Sequence, residues 1–190
     1  SGQSLIGIHP GAAAAAVAAQ VPWVDHARVH RHLNGSVVIQ IAERTGVLAL
    51  PAGARWAVVD ATGRQLEVDD APPAGTVAVH GLEASGVPGE PAPPEAGAAA
   101  ELARRLSPAV APLATGIVVE GDQLQITLGS GGRATFGDPR DLGDKMVALE
   151  TILTRVDLSC VAVIDVRVPA APTVRREGRK AGSQEPVHGT

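Results

Sequence analysis

His26, His30 and His32 are the densest set of potential metal ligands in the chain, and all three fall on one face of an extended segment. Three imidazoles can complete a zinc site. On a strand, however, positions four apart are separated by about 13 Å, too far to share one ion. Only His30 and His32 are near neighbours, so the simpler reading is a polar outer face. Cys160 is the single cysteine. It cannot close an intrachain disulfide, and beside an apolar run it reads as a small buried hydrophobe. Gly129-Ser130-Gly131-Gly132 is flexible enough to cradle a phosphate. It lacks the Gly-Lys-Ser/Thr of such loops and joins two strands, whereas phosphate loops enter a helix. A hairpin turn is the better reading.

Asp138, Asp141, Asp144 and Lys145 cluster at the start of an expected helix, where negative charge is favourable. Paired-carboxylate catalysis would need a cleft as well. Asp165 and Arg167 share the outer face of the last apolar segment. They read equally as a solvated i, i+2 pair and as part of a partner surface. Arg175, Arg176, Arg179 and Lys180 form the one basic run. Against anionic lipid it would contribute at most a few kcal/mol, and a solvated tail is the simpler reading. No nucleophile–base set stands out, and neither a metal nor a cofactor is expected.

The elements that must carry these groups follow from pattern. The 190 residues are 45% hydrophobic but only 2% aromatic, so Val, Leu, Ile and Ala must build the core. The formal charge of −4 argues against a nucleic-acid surface. Residues 12–19 are apolar but far short of the roughly 20 residues a membrane span needs, and no signal peptide opens the chain. Pro10 suits a first helical turn, the alanines after it are strong helix formers, and Pro22 stops the helix. Residues 24–31 then alternate, Asn34-Gly35 signals a hairpin turn, and Val37, Ile39 and Ile41 line one face of a return strand. The first unit, residues 1–50, thus reads helix–strand–strand.

The second unit, residues 51–168, opens with a hairpin of residues 56–60 and 65–68 around Gly63. A short strand at 77–82 follows, then a loop over 83–97 rich in Pro and Gly, then a helix over 98–106. Next come three strands at 116–120, 123–128 and 133–136. Asp138 is placed to cap the longest helix and Pro139 to occupy its first position. Leu142, Met146, Leu149, Leu153 and Val156 repeat at helical spacing in it. A final strand runs over 161–168, and residues 169–190 read as an aperiodic, disordered tail.

Four motifs in order carry a family resemblance. Val21-Pro22-Trp23-Val24, Ala27-Arg28-Val29-His30-Arg31 and the run ending in Glu43-Arg44 resemble the end of the extracytoplasmic POTRA-type module of the bacterial division protein family FtsQ, also called DivIB. Trp56-Ala57-Val58-Val59-Asp60 with Gly63 resembles the opening hairpin of that family's β-domain. Phe136-Gly137-Asp138 and the helix after it resemble its Gly-started helix, and Val163-Ile164-Asp165-Val166-Arg167 its final strand. Leu33-Asn34-Gly35-Ser36 departs from the family pattern, which has a proline before the second strand. Glu43-Arg44-Thr45-Gly46 departs from a Glu-Arg-x-Pro.

The resemblance implies an α+β fold: a partial POTRA-type unit, lacking its first strand and helix, then a mostly antiparallel β-domain with helices on one face. It implies an actinobacterial source, together with the Arg-, Ala- and Gly-rich composition. It implies a non-enzymatic divisome scaffold on the extracytoplasmic side of the cell membrane, anchored by a single-pass segment that this chain does not include. Its partners would be FtsB-like and FtsL-like proteins, joined by strand addition beside Ile164, Asp165, Val166, Arg167 and Val168. The complex would help recruit and regulate septal peptidoglycan synthesis. The alternative is a peptide-binding or chaperone POTRA module of an outer-membrane assembly or secretion protein.

Overall fold

The computed structural model describes residues 9–32, 36–157 and 161–176. The elements run α1 (Pro10–Gln20), β1 (Val24–Arg31), β2 (Val37–Glu43), β3 (Gly46–Ala52), β4 (Arg55–Asp60), β5 (Gln65–Asp69) and β6 (Val77–His80). They continue α2 (Ala96–Arg104), β7 (Ala114–Glu120), β8 (Gln123–Leu128), β9 (Arg133–Gly137), α3 (Leu142–Leu153), β10 (Val161–Asp165) and β11 (Thr173–Arg176). This is an α+β fold. The N-terminal helix–strand–strand unit carries a two-stranded antiparallel sheet, β1–β2. His32 N–H donates to the Ser36 carbonyl at 2.9 Å, closing the ladder around Asn34-Gly35, which lies outside the described residues.

The second unit is one nine-stranded sheet in the order β11-β10-β9-β8-β7-β6-β3-β4-β5. Antiparallel pairing dominates, and β9–β10, β3–β6 and β6–β7 run parallel. Parallel neighbours need long crossovers. The stretch bearing α3 supplies one, joining β9 to β10. The stretch bearing α2 supplies another, joining β6 to β7. One face of the sheet buries Leu48, Val59, Val79, Ile117, Ile126, Phe136 and Ile164 with Leu102 of α2 and Leu149 of α3 in a single core. Every one of those side chains is fully buried.

Several boundaries differ from the sequence reading. β3 was not expected, and residues 46–50 belong to the large sheet instead of the first unit. Pro51 inside the strand hides it, because proline within a run reads as a breaker. Leu48, Ala49 and Leu50 are all fully buried, so the strand has no polar alternation to reveal it. The long helix begins at Leu142, with Asp141 at its N-cap in the left-handed region at φ 53°. Asp138 does not cap the helix; its Oδ1 accepts from the Arg140 backbone N–H at 3.2 Å in the turn before it. It holds the buried Lys145, whose Nζ donates to the Asp138 carbonyl at 2.9 Å and to its Oδ1 at 3.0 Å. Arg140 pairs with the same carboxylate. Hydrogen bonds from Arg140 first and Lys145 second hold Asp138 well below the usual carboxylate range.

Candidate partner-binding edge

β11 ends the large sheet and, among the described residues, pairs with β10 alone. β10 is therefore an inner strand, parallel to β9 on one side and antiparallel to β11 on the other. This corrects two expectations: that residues 161–168 present the open edge, and that the chain beyond 168 is all aperiodic tail. The strand ends at Asp165. Residues 166–172 then reverse the chain, with Ala171 N–H donating to the Val168 carbonyl at 3.0 Å. Pro169 and Pro172 look like terminators in sequence, and four paired residues are too few to show alternation. Residues 177–190 lie outside the described residues.

The five residues expected to meet a partner divide by environment. Ile164 and Val166 are fully buried in the core. Val168 is 60% exposed. Asp165 sits on the opposite sheet face, half-buried, and accepts from the Arg167 backbone N–H and from its Nε, each at 3.0 Å. The Arg167 side chain, before the opposing effect of burial, holds Asp165 below the usual carboxylate range. The Arg167 stem crosses Gly137, where an added Cβ would lie 2.9 Å from Arg167 Cγ. A ligand reaching this end meets Asp165, Arg167 and Val168, not Ile164 or Val166.

Register builds a polar surface on the face away from α2 and α3. Gln125, Thr135, Asp165 and Thr173 are successive cross-strand partners, as are Thr127, Arg133, Val163 and Arg175. Among the described residues, seven of these eight, all but Thr127, line an open groove of about 480 Å³ together with Arg167.

A second cluster joins the two units. Arg44, directly after β2, donates from Nη1 to Asp60 Oδ2 of β4 at 2.8 Å and lies 3.3 Å from Asp25 Oδ1 of β1. Its backbone N–H donates to the Trp23 carbonyl. Trp23 Nε1 donates to Glu67 Oε2 at 3.3 Å. Asp60 is buried, which raises its pKa. Hydrogen bonds from Thr62, the Arg64 amide and Arg44 outweigh that and hold it below the ordinary value. Sequence reasoning used Glu43-Arg44 and Trp23 only as motif residues. Their joint role at the junction has no local signal beyond Trp23 being one of two tryptophans in the chain.

The other chemical candidates disperse. His26, Arg28 and His30 are exposed along β1, and His26 Nδ1 lies 3.1 Å from Asp25 Oδ2. Among the described residues no group of three His, Cys, Asp or Glu is placed to hold a metal. Cys160 lies outside the described residues. Gly129-Ser130-Gly131-Gly132 turns β8 into β9, with Gly131 at φ 87° and its N–H bonded to the Leu128 carbonyl. No helix among the described residues is long and apolar enough to cross a membrane.

A helix–strand–strand unit followed by a large, mostly antiparallel sheet defines a two-part α+β protein. Residues 1–44 match the family model described as POTRA domain, FtsQ-type. That match covers the N-terminal unit alone and leaves the nine-stranded sheet outside it. No curated protein matches the chain. FtsQ-type POTRA domains are generally non-enzymatic and point to a role in cell division.

Proposed function

We propose that this chain is an FtsQ-like scaffold of the bacterial divisome, the extracytoplasmic part of a membrane-anchored protein. It binds FtsB-like and FtsL-like partners by strand addition and so helps recruit and regulate septal peptidoglycan synthesis. The observation that carries this reading is the pairing of an FtsQ-type POTRA match with a sheet whose last strand, β11, has no partner on its outer side among the described residues. An unpaired edge offers a row of N–H and C=O groups to an extended segment, and those backbone bonds carry most of the affinity. β11 replaces residues 161–168 as the docking strand. Asp165, Arg167 and Val168 lie beside it and can add side-chain contacts.

Neighbouring residues of an antiparallel strand alternate in the direction of their N–H groups. Of Thr173 and Val174, one therefore faces β10 and the other the open side. Proline deletes the donor and is tolerated on an edge where the N–H faces solvent. One of Thr173→Pro and Val174→Pro should stay folded by circular dichroism and lose binding to an FtsB-like peptide. If both variants fold and bind that peptide as the parent does, strand addition at β11 is wrong.

A further inference from the structure

Arg133 and Arg175 flank Val163 on the groove face, one strand to either side. Both are exposed, and among the described residues neither has an ion pair or a side-chain hydrogen bond. Two strand spacings set their Cα atoms about 10 Å apart. Among the described residues, the only carboxylate in the groove, Asp165, is already neutralised by Arg167 at 3.0 Å. The groove thus holds two unopposed guanidinium groups in a chain whose formal charge is −4. Between and beside them lie Val163 and the neutral side chains of Gln125, Thr135 and Thr173.

We propose that this groove binds an extended acidic peptide segment of a protein partner, Arg133 and Arg175 each taking one carboxylate from residues two apart. Alternate side chains of an extended chain lie about 7 Å apart on one side, and the two flexible arginine arms close the remaining gap. A guanidinium fork matches a carboxylate bidentately. Gln125, Thr135 and Thr173 can donate to and accept from peptide groups, and the half-buried Val163 takes the intervening apolar contact. A compact phosphate fits less well, because its charge is concentrated at one point between arms that start about 10 Å apart. The site lies on the sheet face and does not require pairing at the β11 edge.

The test is fluorescence anisotropy on the full chain. The probe is a labelled octapeptide alternating valine with two central glutamates, and its two-glutamine counterpart is the control. The glutamate peptide should bind at low salt, and the glutamine peptide at least about tenfold more weakly. Arg133→Gln and Arg175→Gln should each weaken the glutamate peptide about fivefold, while Arg28→Gln, on β1, should not change it. Amide shifts in a nuclear magnetic resonance titration should centre on Thr135, Val163 and Thr173. Equal affinity for the two peptides would overturn the proposal. So would unchanged affinity in the Arg133→Gln/Arg175→Gln double variant, or phosphatidylglycerol vesicles or inorganic phosphate binding through these arginines while the peptide does not. Loss of FtsB-like peptide binding in a folded Val174→Pro variant that keeps the glutamate peptide would separate the edge from the groove, since Val174 is not a groove residue.

Discussion

Asp60 and Arg44 show how one side-chain pair fixes a junction. The Asp60 side chain is 5% exposed and that of Arg44 18%. Removing Asp60 leaves the largely buried guanidinium with only Asp25, at 3.3 Å, for a carboxylate partner. Asp60→Ala should cost about 3 kcal/mol, read from urea unfolding. Its folded pKa is depressed below 3.8. The contribution is therefore fully present above the unfolded value and is lost as pH falls through the folded one. Between pH 7 and pH 3 the Asp60→Asn variant should lose less stability than the parent. A parallel loss in both proteins would mean that Asp60 does not drive the acid dependence. Gly132 marks a different residue-scale constraint. A Cβ there would lie 2.5 Å from the Val161 carbonyl oxygen, so the parallel approach of β9 and β10 depends on its absence. Gly132→Ala should destabilise by about 2 kcal/mol and shift the Val161 and Val163 amide resonances.

The elements differ in how completely they are buried. β2 exposes Val38 at 43% and Ile39 and Ile41 at 51% each, whereas Leu124, Ile126 and Leu128 of β8 are within 2% of full burial. A two-stranded sheet is marginal by itself, and among the described residues α1 and the junction contacts are the main support of β1–β2. In hydrogen exchange, the amides of Val24–Arg31 and Val37–Glu43 should open before those of Gln123–Leu128. Equal protection would show that the junction makes the two sheets one cooperative unit. Within the large sheet, α3 is held at its N-terminal end by Lys145 reaching back to Asp138. That contact sits seven residues apart across a turn, where a capping pattern read from sequence pointed elsewhere.

At the scale of the whole molecule, the large sheet has its own core and its own crossovers, and the N-terminal unit meets it through Trp23, Arg44 and Asp60. A fragment of residues 46–176 should therefore keep a cooperative thermal transition, reported by Trp56, its only tryptophan. A broad, sloping transition would show that the sheet depends on the N-terminal unit for its fold. The fragment should also keep the glutamate-peptide binding assigned to the groove, because every groove residue lies between Gln125 and Arg175.

The sequence alone determined the fold class, the helix–strand–strand start, the three strands at 116–136 and the long helix. In β8 local patterning and burial agree: Leu124, Ile126 and Leu128 alternate with Gln123, Gln125 and Thr127, and the buried faces follow that alternation. In β2 the strand forms as the pattern predicts, yet Ile39 and Ile41 stay exposed. The sequence also located the charged pair Asp165–Arg167. Only the tertiary structure decided which strand stands at the edge. Four residues directly after Pro172 carry no periodic signal, and Thr173–Arg176 become a strand only because β10 supplies a ladder to join. The groove is likewise a product of register. Arg133 and Arg175 are 42 positions apart in the chain and are brought to either side of Val163 by one parallel and one antiparallel pairing. No local pattern encodes that meeting, because it depends on how strands from distant segments align.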